Sequence, residues 1–83
     1  MTQIMNTNYV YIVRLEVHHA DGHVTTMLRG VHSTLEKAQA VIDKIAHSDL
    51  YTIKHKGLHS YILGYKAGST DVINLYIDKF IVL

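Results

Sequence analysis

The sequence predicts one small α+β domain, in which a single helix packs on one face of an antiparallel β-sheet. Two observations lead to this fold class. Apolar side chains alternate with period two near both termini, as in strands, and recur with the period of a helix only in the middle of the chain. The length of 83 residues leaves room for one domain. We therefore expect a sheet of about four strands in the order β-β-α-β-β.

Composition narrows the class of protein further. Hydrophobic residues make up 48% and charged residues 18% of the chain, a balance that argues against disorder. The absence of cysteine excludes disulfides, thiolate zinc sites and a cysteine nucleophile. Residues 1–7 are expected to form a flexible leader before a domain spanning residues 8–83. Because no stretch has the character of a signal peptide or a membrane span, we expect a cytoplasmic protein without a membrane partner.

The first two strands are predicted on either side of Asp21-Gly22. This dipeptide is a strong hairpin signal, because a type I′ turn needs positive φ at both central residues. A two-residue turn would pair Ala20 with His23 and fix the register of the whole hairpin. The pairs on the face assigned to the helix would then be Leu15 with Leu28, Val17 with Thr26, and His19 with Val24.

The helix is predicted in the segment HSTLEKAQAVIDKIAH. Ser33 is the expected N-cap, and Glu36 three residues later would complete a capping box. His47 is placed where a partly positive group suits the last carbonyls of the helix. The apolar stripe consists of Leu35, Ala38, Ile42 and Ile45.

The C-terminal half contains two further predicted strands. The segment YTIKHKG is either a loop or a short edge strand, LHSYILGY is a strand, and KAGST is a turn. The closing strand, residues 72–83, is apolar on both of its faces. One face carries Val72, Tyr76, Phe80 and Val82, and the other carries Ile73, Leu75, Ile77, Ile81 and Leu83. The side with Ile73, Leu75, Ile77 and Ile81 is expected to join the face that the helix covers.

A single helix covers one face of such a sheet, which leaves the other face unexplained. An uncovered apolar face would exceed the patches that soluble monomers usually expose. We therefore expect a homodimer, or another protein partner, to cover it; the alternative is that residues 51–57 fold back over it. The predicted interface residues are Val10, Ile12, Arg14, Arg29, Tyr76 and Phe80.

Two arginines in this set have two interpretations. In the predicted register Arg14 lies directly opposite Arg29, where like charges repel each other. They would either grip an anion together, or form an internal cluster with Glu16, which Asp78 could join. The internal cluster is the favoured interpretation, because surface charge clusters usually form solvated faces.

The residue pattern gives little support for a metal site or a catalytic triad. His55 and His59 have the i, i+4 spacing of zinc ligands on a helix, but Gly57 lies between them and no carboxylate stands at a ligand spacing. Ser33 and Ser48 stand beside histidines without forming a recognisable triad. The sequence thus predicts a protein that is not an enzyme and that uses no metal or other cofactor.

Nucleic-acid binding is the alternative function. Lys54, Lys56 and Lys66 are interspersed with Tyr61 and Tyr65, a mixture that can contact phosphates and stack on bases. Together with Arg14 and Arg29, these lysines form the predicted anion or nucleic-acid contact. A net charge of +1 provides little support for this alternative.

The segments YVYIVRLEV, GVHSTLEKAQAVIDKI and INLYIDKFIV resemble, in type and order, those of small β-β-α-β-β proteins from phage and bacterial genomes. The resemblance covers most of residues 9–82. Its best-matching positions are Gly30, Val31, Ser33, Glu36, Lys37 and Ala38. The resemblance implies the same fold and a phage or mobile-element accessory protein that binds or inhibits a host component; it implies no active site.

Overall fold

The computed structural model describes residues 8–82, which form one helix and a five-stranded antiparallel sheet. The elements are β1 (Asn8–His18), β2 (Val24–His32), α1 (Leu35–Ala46), β3 (Tyr51–Lys56), β4 (Ser60–Tyr65) and β5 (Val72–Val82). The α+β class is confirmed, with one strand more than expected, since the ambiguous segment forms β3. The predicted leader, residues 1–7, and Leu83 lie outside the described residues.

The strand order is β2-β1-β5-β4-β3, so the two longest strands are neighbours at the centre of the sheet. Their ladder runs without a break from Asn8 opposite Val82 to His18 opposite Val72. Both are rich in β-branched and aromatic residues, which suit the pleated surface of a central strand. The closing segment of the chain is therefore an interior strand for much of its length.

The first hairpin closes differently from the prediction. The His19 amide donates to the His23 carbonyl at 2.8 Å, and the Gly22 amide donates to the His19 carbonyl at 3.0 Å. The loop therefore has three residues, Ala20 to Gly22, and among the described residues positive φ occurs only at glycines, here Gly22 at 96°. A type I′ turn would need positive φ at Asp21 as well, so that prediction is wrong.

The longer loop moves the pairing of β1 and β2 by one residue. Leu15 faces Met27 instead of Leu28, and Arg14 faces Leu28 instead of Arg29. Since one step of register turns a strand over, the predicted helix-side residues of β2 lie on the other face. The predicted pairs of Leu15 with Leu28, Val17 with Thr26 and His19 with Val24 are therefore wrong.

A β-bulge then interrupts β2. Arg14 pairs with Leu28 and Val13 pairs with Gly30, which leaves Arg29 as an extra residue without a partner on β1. Gly30 has φ of 143°, a backbone conformation that side chains rarely adopt. Beyond the bulge the pairing returns to the predicted register, with Ile12 opposite Val31 and Tyr11 opposite His32.

The helix begins one residue later than predicted. Thr34 is the N-cap, and its hydroxyl accepts from the Lys37 amide at 3.2 Å, so the prediction of Ser33 is wrong. At the other end, the His47 ring lies 2.8 Å from the Asp43 carbonyl, which supports its expected place at the C-terminus. With 12 residues, α1 is too short and too polar to cross a membrane, and residues 8–82 contain no other helix.

The core lies between α1 and one face of the sheet, which we call the closed face. Its members from the sheet are Val13, Leu15, Val17, Tyr61, Leu63, Ile73 and Leu75, all at most 7% exposed. Ala38, Ile42 and Ala46 complete the core from the helix. The odd-numbered side of β1 and the Ile73, Leu75 and Ile77 side of β5 were correctly assigned to the helix.

Candidate interaction surface

The opposite side of the sheet, the open face, brings together five of the six predicted interface residues. They are Val10, Ile12, Arg14, Tyr76 and Phe80, and the ladder places Val10 opposite Phe80 and Arg14 opposite Tyr76. Arg29 does not belong to this set. The one-residue change of register places it on the closed face, where it lines a hollow with Leu15 and Val17.

Arg14 is the centre of a charge cluster on the open face. Its guanidinium contacts Glu16 at 2.9 Å through Nη1 and Asp78 at 2.9 Å through Nε. The same group lies 4.7 Å from the centroid of the Tyr76 ring. The predicted joining of Asp78 is confirmed. The anion grip and the Arg-Glu-Arg cluster are both wrong, because Arg29 lies on the other side of the sheet.

Apolar side chains surround this cluster. Phe80 is 51% exposed, Val31 61% and Leu28 67%, and all three lie on the open face. The alternative that residues 51–57 fold back over this face is wrong, because Tyr51–Lys56 extends the sheet sideways as an edge strand. No element among residues 8–82 covers the open face.

The apolar residues of the closing strand, β5, have different surroundings along its length. Ile73 and Leu75 lie under the helix and are fully buried. Ile81, which was expected to join them, is 57% exposed, because β2 pairs no further along β1 than Tyr11, and β4 no further along β5 than Tyr76. Beyond these points β1 and β5 continue as a two-stranded ribbon, a form that is marginally stable by itself.

The predicted basic patch is spread over several surfaces. Lys56 lies 5.8 Å from the Tyr61 ring at the end of β3, and Lys66 follows β4 in a loop. The Lys54 side chain lies against Gly64. Arg14 is already paired with two carboxylates, and Arg29 lies on the closed face. The structure does not unite these five cations in one groove.

Histidines and aspartates cluster around the first hairpin. His19 lies 3.0 Å from Asp71 and 2.9 Å from the Thr25 hydroxyl, and His23 lies 2.8 Å from Asp21. The His23 amide lowers the pKa of Asp21 by donating to its carboxylate. In residues 8–82, no three histidine or acidic side chains form a group that could hold a metal ion. These contacts tie the hairpin to the start of β5.

The closed face contains a polar network that sequence reasoning missed. The Tyr61 hydroxyl donates to the Asp43 carboxylate at 2.6 Å, and Gln39 donates to the same oxygen at 2.9 Å. The bond from Tyr61 lowers the pKa of Asp43, whereas burial and then that carboxylate raise the pKa of Tyr61 to about 12. The i, i+4 spacing of Gln39 and Asp43 was the available signal, but the strand that supplies Tyr61 could not be placed.

Comparison of the chain with protein-family models, with curated proteins and with solved structures finds no match. The resemblance to small phage and bacterial proteins therefore stays a prediction. The candidate surface rests on the residues and their geometry.

Proposed function

We propose that this chain is a non-enzymatic protein–protein interaction module that self-associates through the open face of its sheet. The observation that carries the proposal is the unequal covering of the two faces. The helix lies on one of them, and apolar side chains such as Phe80 and Ile12 lie on the other without a covering layer among residues 8–82. Exposed apolar patches of this kind mark contact surfaces.

A second copy of the chain suits this surface because the charges on the open face are already balanced within one chain. Arg14 satisfies Glu16 and Asp78 within one chain, so a partner needs no charge of its own to bury their surroundings. Isologous two-fold contacts are the commonest in oligomers, and they require a self-complementary patch of this type. A standard interface would bury roughly 800 Å² on each copy.

The resemblance to phage and mobile-element proteins supports a wider form of the proposal, in which the same surface also binds a host protein. Nucleic-acid binding receives less support, since its five predicted cations lie on several surfaces. The absorbance ratio of the purified protein at 260 and 280 nm, followed by binding at several salt concentrations, tests that alternative directly.

The principal experiment measures molar mass in solution for Phe80→Glu. We expect the wild-type chain to dimerise with rising concentration and Phe80→Glu to stay monomeric, because the variant buries an unpaired carboxylate at the contact. Leu58→Glu is the matched control: Leu58 is 83% exposed in the turn between β3 and β4, outside the five strands of the sheet. It should dimerise like the wild type.

Circular dichroism must show both variants folded, which the exposure of both side chains favours. A wild-type chain that remains monomeric at millimolar concentration contradicts self-association. Equal effects of the two substitutions would place the contact elsewhere.

A further inference from the structure

A hollow of about 230 Å³ opens on the closed face where the helix ends. Leu15 and Val17 form its buried base, Ile45 lines it from the helix, and Tyr51 and Tyr65 line it from β3 and β4. These two rings pack with their centroids 5.5 Å apart. The hollow lies beside the core at the end of α1, where Ser48 and Leu50 continue its wall.

Arg29 is the only charged residue among those described that line this hollow. Its presence there follows from the register of the hairpin, because Met27 faces Leu15 on the closed face and Arg29, two residues further along β2, lies on the same side. None of the ion pairs within residues 8–82 includes Arg29. The site therefore combines apolar walls with one guanidinium that is free to bind an anion.

We infer that this hollow binds a small amphipathic carboxylate, with its apolar tail against Leu15 and Tyr65 and its carboxylate on Arg29. A guanidinium suits a carboxylate because two parallel N–H donors match its two oxygens. The tail replaces water on the apolar walls, and the positive charge of Arg29 determines the sign of the head group. The arrangement of an apolar pocket with a few placed polar groups is typical of ligand sites.

The size of the hollow limits the ligand. A volume of about 230 Å³ lies below the roughly 300–1,000 Å³ of sites for drug-sized molecules. A short aliphatic or aromatic acid fits this limit, and a long-chain lipid does not. Octanoate is therefore the probe of choice, with octan-1-ol and octylammonium as probes that share its tail and differ only in the head group.

The experiment is an NMR titration of the wild-type chain and two variants with each probe below its micellar concentration. Octanoate should shift the Met27 methyl and the ring resonances of Tyr51 and Tyr65, and should bind more tightly than the other two probes. Arg29→Gln should weaken octanoate binding roughly tenfold and leave octan-1-ol within about twofold, because only the charged hydrogen bonds are lost.

Lys44→Gln is the charge-matched control, since Lys44 is an exposed residue in the last turn of the helix. It should leave octanoate affinity unchanged. The inference is overturned if octanoate shifts none of these residues, if octan-1-ol binds equally well, or if the two variants weaken binding alike. Because the hollow and the open face lie on opposite sides of the sheet, these results do not depend on whether the chain dimerises.

Discussion

The two faces of the sheet are built from the same strands but have different surroundings. Leu15 and Leu75 are neighbours on the closed face and are at most 3% exposed. One residue along each strand, Arg14 and Tyr76 are neighbours on the open face and remain partly exposed. Apolar alternation alone therefore does not decide burial in β1 and β5, since both sides of these strands carry apolar residues. The position and length of a single helix decide it.

The polar contacts of the two faces also differ in their exposure to water. On the closed face, Asp43 and Tyr61 meet between helix and sheet, where a hydrogen bond is strong and an unsatisfied group is costly. On the open face, Arg14 contacts its carboxylates with a third of its side chain exposed, so water and salt screen the attraction. Substitutions on the closed face are therefore expected to change the free energy of unfolding more than substitutions on the open face.

The largest effect is expected from removing packing on the closed face. Leu75→Ala should lower the free energy of unfolding by about 2–5 kcal/mol, because it deletes apolar contacts and leaves a cavity beneath the helix. Leu28→Ala, the same substitution at a residue of the open face that is 67% exposed, should change it by no more than about 0.5 kcal/mol.

Urea denaturation at low protein concentration measures both values without a contribution from self-association. A large loss in Leu28→Ala under these conditions would mean that the open face is covered within one chain. Both faces of the sheet would then contribute packing to the folded monomer.

A smaller loss is expected from the polar network of the closed face. Tyr61→Phe should lower the free energy of unfolding by about 1.5–3 kcal/mol near neutral pH, since the Asp43 carboxylate loses its hydroxyl donor. Tyr51→Phe removes a hydroxyl from the same sheet outside this network and is the matched control. Urea denaturation across a range of pH gives both the size and the pH dependence.

The stabilisation by this hydrogen bond should be lost both in acid and in alkali. The folded pKa of Asp43 is lowered, so its contribution is present above the unfolded value of about 3.9 and is lost as pH falls through the folded value. The folded pKa of Tyr61 is raised to about 12, so its contribution is present below about 10 and is lost as pH rises through about 12.

Wild type and Tyr61→Phe should therefore differ most between about pH 5 and 9 and converge in acid. A difference that stays constant down to pH 2 would show that the contribution of the hydroxyl does not depend on the charge of Asp43.

Local sequence signals predicted much of the fold, and they failed where a turn had to be chosen. The alternation in β1 and β5 and the apolar stripe of α1 are repeated many times, so single exceptions did not alter the interpretation. Asp21-Gly22 also marked the hairpin correctly. It could not distinguish a two-residue from a three-residue loop, because a Gly with positive φ suits both. One residue of difference moved the partner of each residue from Val24 to Leu28.

The residues of the candidate surface were predicted only in part, and the regularity of the strand pairing explains which predictions held. Residues of β1 and β5 kept their faces, because their central ladder is regular from end to end. Arg29 did not, since the three-residue loop moved the register of β2 by one residue and so turned its side chain to the other face. The ribbon at the end of β5 was missed because its exposure depends on where the neighbouring strands end, a property of tertiary structure.

The smallest effect is expected from the charge cluster of the open face. Arg14→Gln should lower the free energy of unfolding of the monomer by no more than about 1 kcal/mol, since the ion pairs with Glu16 and Asp78 are partly exposed. The loss should shrink further in 1 M salt, where the screening length falls to about 3 Å. Arg29→Gln removes the same type of side chain from the closed face without breaking an ion pair, and it should cost less at low salt.

Urea denaturation of both variants at low and high salt tests this expectation at a protein concentration that keeps the chain monomeric. A loss of several kcal/mol that salt does not reduce would mean that Arg14 is desolvated within a single chain, because only a buried pair escapes screening. A small, salt-sensitive loss means that water still reaches the cluster in the monomer. Only a partner that covers the open face would then remove this water.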